Sequence, residues 1–102
     1  MADLNFRQKV EAVMAQVPKG LVTTYGDVAA LAGSPFAAQI VGSVAHYGDP
    51  ELPWHRLVNK SGGLASGYHG GREAQQEHLA LEGITCTDHY VDNFKELRWR
   101  PL

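Results

Sequence analysis

Pro53-Trp54-His55-Arg56 sets a general base and a cation beside a residue that cannot react. Histidine moves protons near neutral pH, and arginine binds carboxylates and phosphates through a fixed fork of donors. Such neighbours would suit a nucleophile, yet the residue between the proline and the histidine is Trp54. Indole is no nucleophile, and its one polar group is a single N–H donor. A site built on these residues holds something against an aromatic face instead of attacking it.

The other chemistry-bearing residues are more scattered. Cys86 lies between two threonines and just before Asp88-His89. A cysteine is reactive only where its surroundings favour the thiolate, so Cys86 reads either as a nucleophile paired with His89 or as a buried, inert thiol. The five histidines are His46, His55, His69, His78 and His89. None forms a His-x3-His pair and the single cysteine is not grouped with them, so no metal or other cofactor is expected. Ser66-Gly67-Tyr68-His69-Gly70-Gly71 is glycine-rich but lacks the Lys-Ser/Thr of a phosphate-binding loop. It reads as a wall of a pocket.

The elements that must position these residues are short. Phe6, Val10, Val13, Met14 and Val17 recur at helical spacing and predict a first helix over 4–17, capped by Asp3 or Asn5 and ended by Pro18-Lys19-Gly20. Leu21-Val22-Thr23 is β-prone. A second helix is expected over 26–32 with Val28, Ala29 and Leu31 facing inward. Gly33 suits a left-handed position after it, Ser34 an N-cap, and Pro35 the first residue of a third helix ending near Tyr47. Arg56-Leu57-Val58 reads as a strand and residues 59–63 as a turn or wing. A last clear helix is expected over 72–82, stopped by Gly83, with Leu79 in the core and Leu81 nearby. From Ile84 onward, Tyr90, Val91, Phe94, Leu97 and Trp99 are too apolar for a free tail, which is expected to pack on the domain.

With 102 residues the chain is expected to form one domain with a modest core. No apolar run approaches the ~20 residues that span a bilayer, and the N-terminus has no signal-peptide pattern. One cysteine excludes an internal disulfide framework. A cytoplasmic monomer is expected. The formal net charge of −2 argues against a strong, non-specific nucleic-acid binder, but leaves room for a small footprint with few phosphate contacts.

Two short helices joined by a Gly-Ser-Pro turn make a helix-turn-helix pattern. The third helix contains no Lys, Arg, Asp or Glu and offers only Gln39 and His46 as long polar side chains. Major-groove readers present Arg, Lys, Asn or Gln to base edges. A face of Ala37, Ala38, Gly42, Ser43 and Ala45 instead permits close backbone approach, either to a widened minor groove or to another helix.

Several ordered motifs now converge. Gly20-Leu-Val-Thr-Thr-Tyr25-Gly26-Asp27 through Pro35, then Ala37-Ala38-Gln39-Ile40-Val41-Gly42, Pro53-Trp54-His55-Arg56 and Leu81-Glu82-Gly83 resemble the DNA-binding domain of the O6-alkylguanine-DNA alkyltransferases. The resemblance covers residues 5–83. It implies a mainly α fold with a small β component, a winged-helix-like helix-turn-helix domain as in the C-terminal domain of those enzymes. It also implies that their acceptor Cys is replaced by Trp54, while His55 and the Glu82 that orients it persist. Nucleophile, base and orienter act together, so a chain without the nucleophile resembles the non-enzymatic, alkyltransferase-like lesion binders.

The same resemblance implies residue roles. The partner is double-stranded DNA carrying O6-alkylguanine, whose damaged base is flipped into a pocket of Trp54, His55, Tyr68, His69 and Glu82. Tyr25 rotates the nucleotide through its phosphate, Gly26, Ser34 and Lys60 match backbone-contact positions, and Ala38 is a further DNA-binding residue. Gln39 stands where the enzymes carry an Arg that fills the vacated gap, and Asp49 where they usually carry Asn. The unrepaired lesion is then flagged for nucleotide excision repair proteins. Three alternatives remain open: a winged-helix regulator of undamaged DNA, a residual alkyltransferase using Cys86, and a protein-interaction module.

Overall fold

Capping, not periodicity, sets where the first helix starts. A computed structural model describes residues 5–101, and in it α1 runs Phe6–Met14. Asn5 caps it by accepting from the Gln8 N–H while the Gln8 side chain accepts from the Asn5 N–H. Asp3, the other expected cap, lies outside the described residues. The α-helix stops short of Val17 because Gln16 and Val17 donate to carbonyls only three residues back, ahead of Pro18. Val17 remains in the core, which is why the apolar period continues to it.

The helix-turn-helix is present as α2, Tyr25–Leu31, and α3, Ala38–Tyr47. Thr24 caps α2 through its hydroxyl, and Gly33 takes the left-handed conformation after it with φ +94°. Two expectations fail here. Leu31 points outward, because Val28, Ala29 and Ala32 make the buried stripe and Leu31 lies roughly 100° around the helix from its centre. Ser34 does not cap α3 and Pro35 does not begin it. Ser34 to Ala37 forms a tight turn closed by the Ala37 N–H on the Ser34 carbonyl, with Pro35 at its second position, so α3 starts three residues later.

Beyond Gly48 the chain reaches a 3₁₀ turn at Trp54–Arg56 and then β2, Leu57–Val58, which pairs in parallel with β1, Thr23–Thr24. Arg56 therefore belongs to the turn and not to the strand. The turn or wing of 59–63 is closed by bonds between Asn59 and Gly62 or Gly63. Helix α4 spans Gly71–Ala80. Leu79 is fully buried as expected, whereas Leu81 is exposed, one residue past the helix end.

The tail packs on the domain with structure of its own. β3, Cys86–Thr87, and β4, Tyr90–Val91, form an antiparallel hairpin turned by Asp88 and His89, both at positive φ. The hydroxyls of Thr85 and Thr87 both donate to Asp92 and brace it. A short α5, Phe94–Leu97, leads to Arg98, whose guanidinium makes two 2.7 Å bonds to Asp27 on α2. The Trp99 N–H donates to the Val22 carbonyl, pinning the tail to the strand that precedes α2.

The buried side chains form two clusters. One gathers α1, α2 and α3 around Val10, Met14, Val28 and Val41 and includes Trp54 and Leu57; the other joins Val22, Val58, Leu64, Leu79, Ile84 and Val91. Between them the adjacent residues Leu57 and Val58 face opposite clusters, so β2 stitches the helix-turn-helix to α4 and the tail.

Candidate nucleic-acid interface

Trp54 is held from two sides. Its ring packs into the helical cluster and is nine-tenths buried, while its indole N–H donates 2.7 Å to the Asp49 carbonyl. Gly48 makes room for it: a Cβ there would meet Trp54 Cζ2 at 2.8 Å and the Val44 carbonyl at 2.5 Å. The uncovered part of the ring lines a cleft of about 1350 Å³.

That cleft collects residues from widely separated stretches of chain. Tyr25 enters from the start of α2, and Ala38, Gln39, Gly42, Ala45 and His46 from one face of α3. Trp54 and His55 come from the 3₁₀ turn, Tyr68 and His69 from the glycine-rich loop, and His78 and Glu82 from α4 and the residues after it. Ala38, Gly42 and Ala45 thus border open space, while Ala45 also packs against the helical core cluster. A Cβ on Gly42 would still stand 3.8 Å from Tyr25. A smaller groove of about 480 Å³ adjoins the cleft and is lined by Gly26, Lys60 and Tyr90, with Tyr25 and Ala38 common to both. Ser34 lines neither; it sits exposed in the α2–α3 turn.

Glu82 is the electrostatic centre. It receives His55 Nε2 at 2.7 Å, Arg56 Nε at 2.9 Å, Arg56 Nη2 at 2.6 Å and the Gly20 N–H at 3.2 Å. Burial works against its charge, but the bonds from Arg56, His55 and Gly20 outweigh it and hold the carboxyl at about 2. An ionised Glu82 accepts, so His55 carries its proton on Nε2 and, when neutral, presents Nδ1 as an acceptor. The remaining Arg56 arm donates to the Val17 carbonyl at 2.7 Å. Arg56, assigned no role from sequence, therefore ties Glu82 to the end of α1.

Gln75 was not singled out by sequence either. It is fully buried, and its side-chain amide donates to the His55 and Leu57 carbonyls and accepts from the Ala65 N–H. One side chain therefore fixes the 3₁₀ turn to the loop carrying Tyr68 and His69. Its place four residues before Leu79 on α4 was the available signal.

The cleft wall is knitted by aromatic and imidazole contacts. The Tyr68 hydroxyl bonds His78 Nδ1; His69 donates from Nε2 to the His46 carbonyl at 2.9 Å and stacks on the His46 ring at 4.9 Å. Burial raises the Tyr25 and Tyr68 hydroxyls above their ordinary value, so both stay neutral donors. Such a surface offers aromatic faces, imidazoles and phenol hydroxyls, which suit a planar heterocycle better than a bare ion.

Cys86 lines neither cavity. It packs on the cluster around Leu79 and Ile84, and burial, with Asp92 nearby, raises its thiol, the reverse of activation. His89 is committed to the hairpin turn and lies 3.8 Å from Glu73. Among the described residues no group of three His, Cys, Asp or Glu could hold a metal ion.

The model of the 6-O-methylguanine DNA methyltransferase DNA-binding domain matches residues 5–84. The DNA base-flipping protein of Escherichia coli is 42% identical over 100 residues, covering 93% of this chain and 74% of the relative. Alkyltransferase-like protein 1 of Schizosaccharomyces pombe is 33% identical, covering 94% of this chain and 95% of the relative. The crystal structure of that yeast protein with damaged DNA containing O6-carboxymethylguanine superposes with a TM-score of 0.82 over 94% of this chain and 95% of that one, at 34% identity.

Proposed function

The chain belongs to the family of the 6-O-methylguanine DNA methyltransferase DNA-binding domain, and from that premise we propose that it recognises O6-alkylguanine in duplex DNA without removing the alkyl group. The observation that carries the reading is the cleft beside α3, with Trp54 where the resemblance expects the acceptor Cys. The uncharged small-residue face of α3 suits a widened minor groove. Tyr25 stands on the ridge between cleft and groove, where its neutral phenol can donate to a phosphate as the nucleotide rotates. Gln39, on the cleft rim, fills the gap left in the stack. Gly26, Ala38 and Lys60 meet the backbone along the smaller groove, and Ser34 does so from its exposed turn.

Flipping costs a few kcal/mol, less for a guanine whose O6-alkyl group already spoils its pairing. In the cleft the base meets the exposed margin of Trp54, the Tyr68 hydroxyl, His69 and the Nδ1 side of His55, which Glu82 holds in place. No thiol lines the cleft, so binding is reversible and the alkyl group stays on the base. A lesion held but not repaired persists; we assign the complex the role of marking it for nucleotide excision repair. The single cysteine fits a reducing cytoplasm, with the domain acting as a monomer on the nucleoid when it holds DNA.

Fluorescence titration of a duplex carrying one O6-methylguanine against its unmodified twin tests the reading. Tighter binding to the lesion is expected, with the intact mass of the protein unchanged afterwards. Equal affinities overturn lesion recognition, and a gain of one methyl overturns the non-catalytic assignment.

A further inference from the structure

The leading end of α3 carries large apolar side chains that the domain does not use. Phe36, in the turn just before the helix, is fully exposed, and Ile40, one helical turn further on, is 54% exposed. Neither is covered by the domain itself, and covering such apolar surface is favourable. They flank the residues that open both cavities: Ala38 lines cleft and groove, and Gln39 lines the cleft.

The electrostatics of this end are equally distinctive. From Gly33 to Tyr47 there is no Lys, Arg, Asp or Glu, and the chain as a whole carries −2. Counterion release, which supplies most of the affinity of basic DNA binders, is therefore weak here. A helix that enters a groove without cations must draw its affinity from surface burial and close approach. Minor-groove proteins supply this with exposed Phe, Leu, Ile or Met side chains set against sugars and base steps. A helix is about 10–12 Å across, wider than the ~6 Å minor groove, so its flanks as well as its leading face must touch the groove walls.

We propose that Phe36 and Ile40 form an apolar DNA contact, seated in the widened minor groove beside the base pair that Gln39 addresses. This rests on the DNA-binding reading above and adds to it a source of affinity independent of the lesion pocket. The contact is made to the duplex and not to the flipped base. It therefore strengthens binding to damaged and undamaged DNA alike, and selectivity is left to the cleft.

The test uses the full chain, with Phe36→Ala and Phe36→Lys, on the O6-methylguanine duplex and its unmodified twin at several salt concentrations. Phe36 touches no core, so both variants are expected to fold, which circular dichroism and thermal melting check. Phe36→Ala is expected to lose about tenfold in affinity for both duplexes, the scale of one aromatic contact with nucleic acid. Its lesion-to-control ratio and its slope of log affinity against log salt stay those of the parent, because an apolar contact releases no counterions. Phe36→Lys is expected to steepen that slope by roughly 0.9, one added phosphate neutralised. An Ala variant within twofold of the parent, or a Lys variant with the parent's slope, overturns the proposal and leaves the lesion reading standing. A parent chain that binds neither duplex sinks the reading itself and this inference with it.

Discussion

At the scale of single residues, Glu82 and Trp54 divide the work of the site. Glu82 is ionised at about 2 against an ordinary value of 4.5, because Arg56, His55 and Gly20 all donate to it. Its folded value lies below the unfolded one. The stabilisation is therefore complete above about pH 4.5 and is lost as pH falls toward 2. Chemical denaturation across that window should show the parent losing more stability than Glu82→Gln, which keeps only the losses from the other lowered carboxyls such as Asp27. At neutral pH Glu82→Gln should be destabilised by about 3–5 kcal/mol, since Arg56 is left largely buried without its counter-charge. Trp54 is core as well as cleft. Trp54→Ala should cost about 3–5 kcal/mol in thermal or urea unfolding, through the cavity it opens. Its effect on lesion affinity would then mix binding with collapse of the cleft. Trp54→Phe keeps an aromatic face and leaves only the Asp49 carbonyl short of a donor, at roughly 1–3 kcal/mol. It should retain most of its preference for the O6-methylguanine duplex. A Phe variant that is stable but indifferent to the lesion would show that the indole itself is read.

At the scale of elements, α3 is a helix built for approach at the expense of helix propensity. Gly42 sits in its interior, where Ala would be favoured by roughly 0.8–1 kcal/mol. The space for a Cβ exists, 3.8 Å from Tyr25. Gly42→Ala should therefore raise the melting temperature while weakening binding to both damaged and undamaged duplexes, because the added methyl stands in the cleft. A variant that is more stable and binds as tightly as the parent would assign Gly42 no part in DNA contact. The outline of these elements was legible in the sequence. The period of Val10, Val13 and Met14 and the Gly33 stop signal are local properties of the chain. The start of α3 was not, because Ser34-Pro35 supports both an N-cap and a tight turn, and the turn was selected. The β3–β4 hairpin escaped notice because Asp88-His89 adopts positive φ without a glycine to announce it.

At the scale of the molecule, the tail is a clasp on the helix-turn-helix. Arg98 and Asp27 pair across the fold through two 2.7 Å bonds, and Trp99 hangs on the Val22 carbonyl. The bonds from Arg98 hold the Asp27 carboxyl below its ordinary value despite partial burial. Arg98→Ala should cost about 1 kcal/mol, the upper range for a pair that solvent partly screens, measured by urea unfolding. The lesion-to-control ratio should stay unchanged, because Arg98 lines neither cavity. A lost ratio would mean that the clasp sets the attitude of α2 and hence of Tyr25.

The sequence by itself determined which side chains the site has and which it lacks. The indole of Trp54 beside His55, the uncharged third helix and the small residues on it are statements about residue type at short spacing, and the tertiary structure left them intact. Only the tertiary structure decided how these residues meet. It brought Tyr25, Gln39, Trp54, Tyr68 and Glu82 to one cleft and left Ser34 outside it. It also recruited Arg56 and Gln75 to hold the walls, and set Cys86 against the second core cluster. The reason is physical: caps and periodicity act within a turn or two of chain. The parallel pairing of β1 with β2 and the bonds onto Glu82 join segments that meet only when the whole core closes.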